Sequence, residues 1–198
     1  GAPASFTDAG ECSYCNARLH DGNMQWMVKN RVVPKIESFR TQEFGTYAEE
    51  KGTDLPTLTQ PALSQEIADF SQAHQIDDWT AYWNLFTTHI VTPFFQKIYD
   101  AWPRREWHEV RHLGSDRLYK SNNFWIEAYR REHLVNKLDE TAIQRCELAR
   151  IDIDRFYEAF TVRIFASCFD YVETEEGKLI GGSKTKKREF SEYWTFLR

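Results

Sequence analysis

The sequence lacks the features on which several classes of protein depend. No apolar run approaches the roughly 18 residues needed to cross a bilayer, and no signal peptide is present. The net charge of −5 is not the basic excess typical of a nucleic-acid binder, so we expect no nucleic-acid partner. A glycine-rich phosphate loop, a Ser-His-Asp arrangement and a pair of catalytic carboxylates are also missing. These absences predict a soluble chain without those activities.

Cysteine is scarce, and only one pair of cysteines forms a pattern. Of four Cys, Cys12 and Cys15 have the two-residue spacing of half a zinc site, and His20 is the one other local candidate ligand. A structural site needs four ligands, so idle thiols or a local disulfide remain alternatives. Cys146 and Cys168 stand singly in strand-like stretches, where we expect small buried hydrophobic side chains.

Bulky apolar residues are abundant. Of the 198 residues 41% are hydrophobic, with 14 Phe, 9 Tyr and 7 Trp, which predicts one core domain with an appendage. A turn-rich stretch from Gly52 to Pro61 marks a boundary. The predicted division is an N-terminal segment at 1–33, a linker at 34–63 and the core domain at 64–198.

A long strand dominates the C-terminal third. Residues Ala159–Glu173 are dense in β-branched and aromatic side chains, and fifteen residues at roughly 3.3 Å each would span about 50 Å. Such a strand must bend, so we expect a concave sheet. It continues through a glycine hairpin at Gly177–Gly182 into a strand at Phe190–Arg198. One face carries Val162, Ile164, Ala166, Cys168 and Val172, and the other carries Phe165, Phe169 and Tyr171.

A further strand is expected at Thr141–Ile153, although a helix remains an alternative there. The helices are expected before it. Ser64 is the expected cap of the first helix and Asp78 begins a longer one, which Thr92-Pro93 kinks or restarts and Trp102-Pro103 ends. Its predicted apolar stripe is Trp83, Phe86, Ile90, Phe94, Ile98 and Ala101.

Two shorter helical segments follow. Arg104–Leu113 is predicted to turn Trp107 and Val110 inward, and Ser115 is predicted to cap a third helix.

An acid–base enzyme is the alternative to a binding protein. Such an enzyme needs a buried carboxylate or His with a shifted pKa and a nearby partner. Asp170 is the best single candidate because it shares the face of Val162 and Ile164, although an arginine-paired carboxylate is the commoner arrangement. The full set of candidates is His89, His108, His112, Asp170 and Glu192.

A basic cluster follows the hairpin. Lys184, Lys186, Lys187 and Arg188 could attract an anionic membrane, at roughly 1 kcal/mol for each charge. Alternatively, they are the charged residues that protect a sheet edge from pairing with other chains.

The hairpin, the basic cluster and the segment Glu192–Arg198 together resemble the end of the translocase of the inner membrane, subunit 44-like domain, of the nuclear transport factor 2-like superfamily. The resemblance extends back to about Trp79, and Phe124–Tyr129 contains the family's Trp-Ile-x-x-Tyr pattern. It implies an α+β fold in which a cone-shaped curved antiparallel sheet wraps around N-terminal helices. Bacterial members carry zinc ribbons, which implies that Cys12 and Cys15 are the remnant of a ribbon binding zinc in a full-length bacterial protein.

The resemblance also implies a function. We expect a noncatalytic domain of a protein peripheral to the inner membrane, linked to protein transport, which holds an apolar ligand or polypeptide segment in its cone. Its partners would be lipid or an apolar peptide and other protein subunits, with a homodimer through the open sheet surface as a further option. The candidate lining residues, for which ordinary core packing is the alternative, are Trp83, Phe86, Phe95, Trp125, Phe165 and Trp194.

Overall fold

The computed structural model describes residues 54–198, which form helices followed by a curved antiparallel sheet of four strands. This arrangement confirms the α+β class. The predictions for Cys12, Cys15 and the 1–33 segment lie outside the described residues. None of the described helices is long and apolar enough to span a membrane. The elements are α1 (Leu63–Ala73), α2 (Trp79–Phe86), a π-helical segment (Thr87–Val91), α3 (Thr92–Arg104), a 3-10 helix (Trp107–Leu113), α4 (Asp116–Arg131), β1 (Leu134–Ile153), β2 (Glu158–Thr174), β3 (Leu179–Gly182) and β4 (Arg188–Leu197).

β2 is the central strand and confirms the long strand predicted at Ala159–Glu173. It pairs with β1 along one edge and with β3 and β4 along the other. Val162, Ile164, Ala166 and Cys168 pack against the helices. We call the side of the sheet that they occupy the inner face, and the opposite side the outer face.

β1 confirms a strand at Thr141–Ile153 but begins earlier, at Leu134, so the helical alternative is wrong. Its register against β2 shifts at three places. Each shift lets one extra residue into the strand, so the inner positions do not simply alternate. Ile143, Cys146, Leu148 and Ile151 therefore lie opposite inner residues of β2 at steps of three, two and three.

Side-chain caps determine where two of the helices begin. The Asp78 carboxylate accepts a hydrogen bond from the Ala81 amide at 3.0 Å, at the point where a helix was predicted to begin. Ser115 caps α4 through the Leu118 amide at 3.3 Å, as predicted. The prediction for Ser64 is wrong: α1 begins at Leu63, after Ala62, without a side-chain cap.

The predicted apolar stripe is wrong at Ile90 because of the π-helical segment, although Ala101 farther along it is buried and Ile98 packs beside Ala101. Pro93 has no amide hydrogen to donate within the helix. The neighbouring Thr92 donates its hydroxyl to the Thr87 carbonyl, five residues earlier, at 2.9 Å. A π turn holds one residue more than an α turn, so the inward position after Phe86 is Val91 and not Ile90. Val91 is fully buried, whereas Ile90 is 38% exposed.

The second half of the helical region also differs in its bounds. α3 does not end at Trp102-Pro103 but reaches Arg104, and Arg105 closes it in the left-handed conformation with φ 59°. The helix predicted at Arg104–Leu113 is a 3-10 helix over Trp107–Leu113. Trp107 and Val110 are buried, as predicted.

Candidate functional site

Four of the six predicted lining residues meet on the inner face. Phe95 is buried in the core cluster, and Trp83, Phe86 and Trp194 pack against it half-buried. The Phe95 and Trp194 ring centroids are 5.6 Å apart. Phe196, which is not among the predicted lining residues, contacts Phe86, Phe94 and Trp194, with ring centroids 5.7, 5.7 and 6.1 Å away. Its alternation with Trp194 along β4 could have identified it. We call Trp83, Phe86, Phe94, Phe95, Trp194 and Phe196 the aromatic cluster.

The other two predicted lining residues lie elsewhere. Phe165 is buried on the outer face, because strand alternation turns it away from Ile164, and the Arg145 guanidinium lies 3.5 Å from its ring centroid. Trp125 is 53% exposed on α4, where it contacts Phe124 edge to face. Ile126 is the inward residue there, and adjacent helical positions point about 100° apart. Both residues are therefore separated from the aromatic cluster.

Glu192 lies beside the aromatic cluster and accepts one hydrogen bond at each carboxylate oxygen. Tyr99 donates its hydroxyl to Glu192 Oε1 at 3.0 Å, and the Trp194 indole donates to Oε2 at 2.8 Å. Burial, reinforced by the Glu192 charge, raises the Tyr99 pKa far above its ordinary value of 10.0. The phenol therefore stays protonated and acts as a hydrogen-bond donor.

Asp170 is also on the inner face and is paired, as in the arrangement that the sequence analysis considered commoner. Arg188 donates to Asp170 Oδ2 and Asn136 donates to Oδ1, each at 2.8 Å. The Trp102 indole in turn donates to the Asn136 side-chain oxygen at 2.8 Å, which links α3 to the sheet. These bonds make Asp170 part of a structural network.

Burial disfavours the thiolate form of both described thiols. Cys168 is fully buried, and burial raises its pKa to about 11. Cys146 is half-buried, and its pKa is raised by the same cause to about 12. Because the thiolate is the reactive form, both side chains behave as small hydrophobic groups, as predicted.

The family comparison agrees with this architecture. The sequence matches the Tim44-like domain over residues 84–198. The chain belongs to the Tim44-like domain family. No curated protein matches the sequence. The matched region of the Tim44-like domain begins within α2 and includes the whole sheet, with the aromatic cluster except Trp83. α1 precedes it and packs its buried Phe70 against Ile151 and Phe160 of the sheet.

The remaining catalytic candidates of the Tim44-like domain are surface residues. His89, His108 and His112 are all exposed, on the π-helical segment and the 3-10 helix. Among residues 54–198, no group of three or more His, Cys, Asp and Glu side chains is arranged to hold a metal ion.

The basic cluster is paired with acidic residues of the sheet. Lys184 lies 2.6 Å from a Glu173 carboxylate oxygen, and Lys187 lies 2.9 Å from one of Glu140. Arg188 is the partner of Asp170 described above. Three of the four predicted membrane-contact residues, Lys184, Lys187 and Arg188, therefore serve as ion-pair partners within the fold; the fourth, Lys186, is exposed.

A segment that precedes α1 crosses the outer face, although no pattern in the sequence predicts this contact. Arg163, only 4% exposed, donates to the Leu55 carbonyl at 2.7 Å and to the Ser191 hydroxyl at 3.1 Å. The Leu58 amide donates to the Tyr193 hydroxyl at 2.9 Å, and the Gln60 amide donates to the Ala149 carbonyl at 3.0 Å. We call Leu55–Gln60 the strap.

Proposed function

We propose that this chain is a noncatalytic binding domain of a membrane-associated protein, and that its aromatic cluster holds an apolar ligand or polypeptide segment in a role linked to protein transport. Membership of the Tim44-like family is consistent with protein transport at a membrane. The hydrogen bonding of Asp170 and Glu192 is the observation that carries the noncatalytic part of this proposal. Each carboxylate accepts a bond at both oxygens, whereas a general base needs an oxygen that can reach the proton of a substrate.

We choose an apolar ligand because the inner face carries partly exposed aromatic rings. Trp83, Phe86, Trp194 and Phe196 pack against the buried core but are only half-buried, so part of each ring remains accessible. Binding sites for small molecules are mostly apolar, with a few fixed polar groups that orient the ligand. The bonded Glu192 and Tyr99 side chains would supply such groups.

A titration with a fluorescent fatty acid and with an apolar peptide tests this proposal. We expect saturable binding, weakened about ten-fold or more in Phe94→Ala, because full burial of one such side chain is worth about 1.5–3 kcal/mol. Leu85→Ala is the matched control, since Leu85 lies on the same helical stretch and is 58% exposed. Equal, non-saturable signals from the parent and both variants would contradict the proposal, and thermal unfolding checks that the variants fold.

One observation favours a second candidate, an isomerase- or dehydratase-type acid–base enzyme: Asp170 and Glu192 both lie on the inner face. This alternative predicts that Asp170→Asn abolishes turnover of a small carbonyl substrate. If the parent turns over such a substrate and the Asp170→Asn and Glu192→Gln variants do so equally well, neither carboxylate is the catalytic base.

The finer features of the family resemblance are part of the same proposal. The sheet and helices form a cone of the nuclear transport factor 2-like type over residues 64–198, in a bacterial protein peripheral to the inner membrane.

Cys12 and Cys15 supply two thiolates to a zinc ribbon, which their spacing supports. In a protein that contains all four ribbon ligands, metal analysis should find one zinc per chain. Sedimentation equilibrium tests a homodimer through the sheet surface.

A further inference from the structure

The outward side of α4 combines exposed aromatic rings with cations. Arg117, Phe124 and Arg131 are spaced seven residues apart, so they align along one side of the helix, and Lys120 lies one turn before Phe124. Phe124 is 60% exposed, and Trp125 beside it is 53% exposed. We call Arg117, Leu118, Lys120, Phe124, Trp125 and Arg131 the α4 face.

The cations of the α4 face are uncompensated. In the part of the chain that the structure describes, the side chains of Arg117, Lys120 and Arg131 make no ion pair or hydrogen bond. The two acidic residues of α4 are each occupied by another arginine: Asp116 by Arg111 and Glu127 by Arg130. The face is therefore locally basic, although the net charge of the chain is −5.

The opposite side of α4 anchors it to the domain. Ile126 is 2% exposed and packs in a cluster with Ala101, Trp107 and Val110. The Trp107 indole also donates to the Tyr119 carbonyl of α4 at 3.1 Å. The α4 face is thus carried on a helix whose orientation is fixed by a buried side.

We propose that the α4 face lies on the surface of an anionic phospholipid membrane. Aromatic rings sit at the headgroup level, and lysine and arginine side chains extend toward lipid phosphates. Phe124 and Trp125 project from the convex side of a single helix, which suits a flat surface better than a peptide, because a peptide is usually held in a groove.

This inference rests on the proposed membrane association but is independent of ligand binding at the aromatic cluster. It also assigns membrane contact to a surface other than the basic cluster of the hairpin. There the lysines with ion pairs would have to exchange Glu173 and Glu140 for lipid phosphates. The cations of the α4 face have no such ion pairs to break, so they would exchange only water for lipid phosphates.

Co-sedimentation of the full chain with vesicles at low salt tests the proposal. The vesicles contain either phosphatidylglycerol mixed with phosphatidylcholine, or phosphatidylcholine alone. One variant neutralises the cations of the α4 face (Arg117→Gln, Lys120→Gln, Arg131→Gln), and another removes its rings (Phe124→Ala, Trp125→Ala). Matched controls make the equivalent changes in the hairpin: Lys184→Gln, Lys186→Gln and Lys187→Gln in one variant, Leu179→Ala and Ile180→Ala in the other.

The parent is expected to bind anionic vesicles more strongly than neutral ones. The triple neutralisation should lower the partition coefficient about 100-fold, at roughly five-fold for each cation. Loss of the rings should lower it about ten-fold or more. The hairpin controls should stay within about two-fold of the parent, and high salt should weaken parental binding.

Several outcomes would overturn the proposal. They are equal sedimentation of the parent with both vesicle types, α4 variants that bind like the parent, and hairpin variants that lose binding instead. A parent that binds an acidic peptide through the α4 face but no vesicles would make this face a protein-docking surface. In each case the fatty-acid titration still decides, separately, whether the aromatic cluster binds a ligand.

Discussion

The Tyr99 hydroxyl of α3 donates a hydrogen bond to Glu192 of β4 across the inner face, at 3.0 Å. The Tyr99 ring stacks on Phe95 with centroids 4.1 Å apart, and its centroid lies 5.7 Å from that of Phe190. One side chain therefore joins the buried aromatic core to the polar group of the candidate site. This bond and the one from the Trp194 indole hold the Glu192 carboxylate beside the aromatic cluster.

Tyr99→Phe should lower the free energy of unfolding by about 1–3 kcal/mol, because Glu192 Oε1 loses its donor while remaining half-buried. Urea denaturation measures the difference. Tyr119→Phe is the control, since its hydroxyl has no hydrogen bond within the described residues, and it should change stability by less than about 0.5 kcal/mol. Equal effects of the two substitutions would contradict the role assigned to the Tyr99 bond.

Arg163→Met should release the strap from the outer face. The Leu55 carbonyl loses its donor, so the amides of Leu58 and Gln60 should exchange hydrogen faster, while those of β2 remain protected. Hydrogen exchange followed by mass spectrometry resolves the two regions. Arg150→Met is the control, because Arg150 is an exposed partner of Asp152 and should leave exchange in the strap unchanged. Unaltered strap protection in Arg163→Met would show that other contacts hold this segment.

Glu158 should make stability depend on pH in the acidic range. Its partial burial raises the pKa of its carboxyl, but hydrogen bonds from Arg198 and His74 outweigh this and hold the pKa below its usual value. The stabilisation is present above the ordinary glutamate pKa and is lost as pH falls through the lowered native value. Urea midpoints measured between pH 6 and about pH 3 should fall less steeply in Glu158→Gln than in the parent. Glu132→Gln, an exposed residue at the end of α4, should follow the parental curve.

Gly182→Ala should destabilise the domain by at least about 2 kcal/mol. Gly182 has φ +78°, and a Cβ atom there would lie 2.6 Å from Tyr171 Cα and closer still to the Asp170 carbonyl oxygen. Gly177→Ala is the matched control, since Gly177 has φ +86° but open space around the added atom. Gly177→Ala should destabilise the domain by only about 1 kcal/mol, because alanine is strained at a positive φ but meets no clash there. Thermal unfolding of both variants distinguishes the steric effect from the conformational one.

The sequence predicted those parts of the fold in which local chemistry determines the outcome. Alternation and β-branched residues located β2 and β4, apolar spacing located the start of α2, and the Ser115 hydroxyl located the start of α4. The features that it did not predict depend on tertiary partners. The three register shifts of β1 accommodate its pairing with a curved β2, and no residue type in β1 signals them.

The candidate site was predicted only in part, for the same reason. Trp83, Phe86, Phe95 and Trp194 meet because three elements, α2, α3 and β4, pack together, and hydrophobicity indicated each of these residues. Hydrophobicity also indicated Trp125, although it lies on the exposed side of α4. The bonds from Arg188 and Asn136 to Asp170 and from Tyr99 to Glu192 join residues 18, 34 and 93 positions apart, which no local pattern indicates.

The π-helical segment gives this chain room to change in length by one residue. Phe86 and Val91 lie five positions apart, and both point inward because the π turn between them accommodates one extra residue. Deleting one residue between them would place Phe86, Val91 and Phe95 at positions i, i+4 and i+8 of a regular α-helix, which share one face. A shortened helix of this kind would therefore keep the same three side chains in the core, and relatives can be expected both with and without the extra residue.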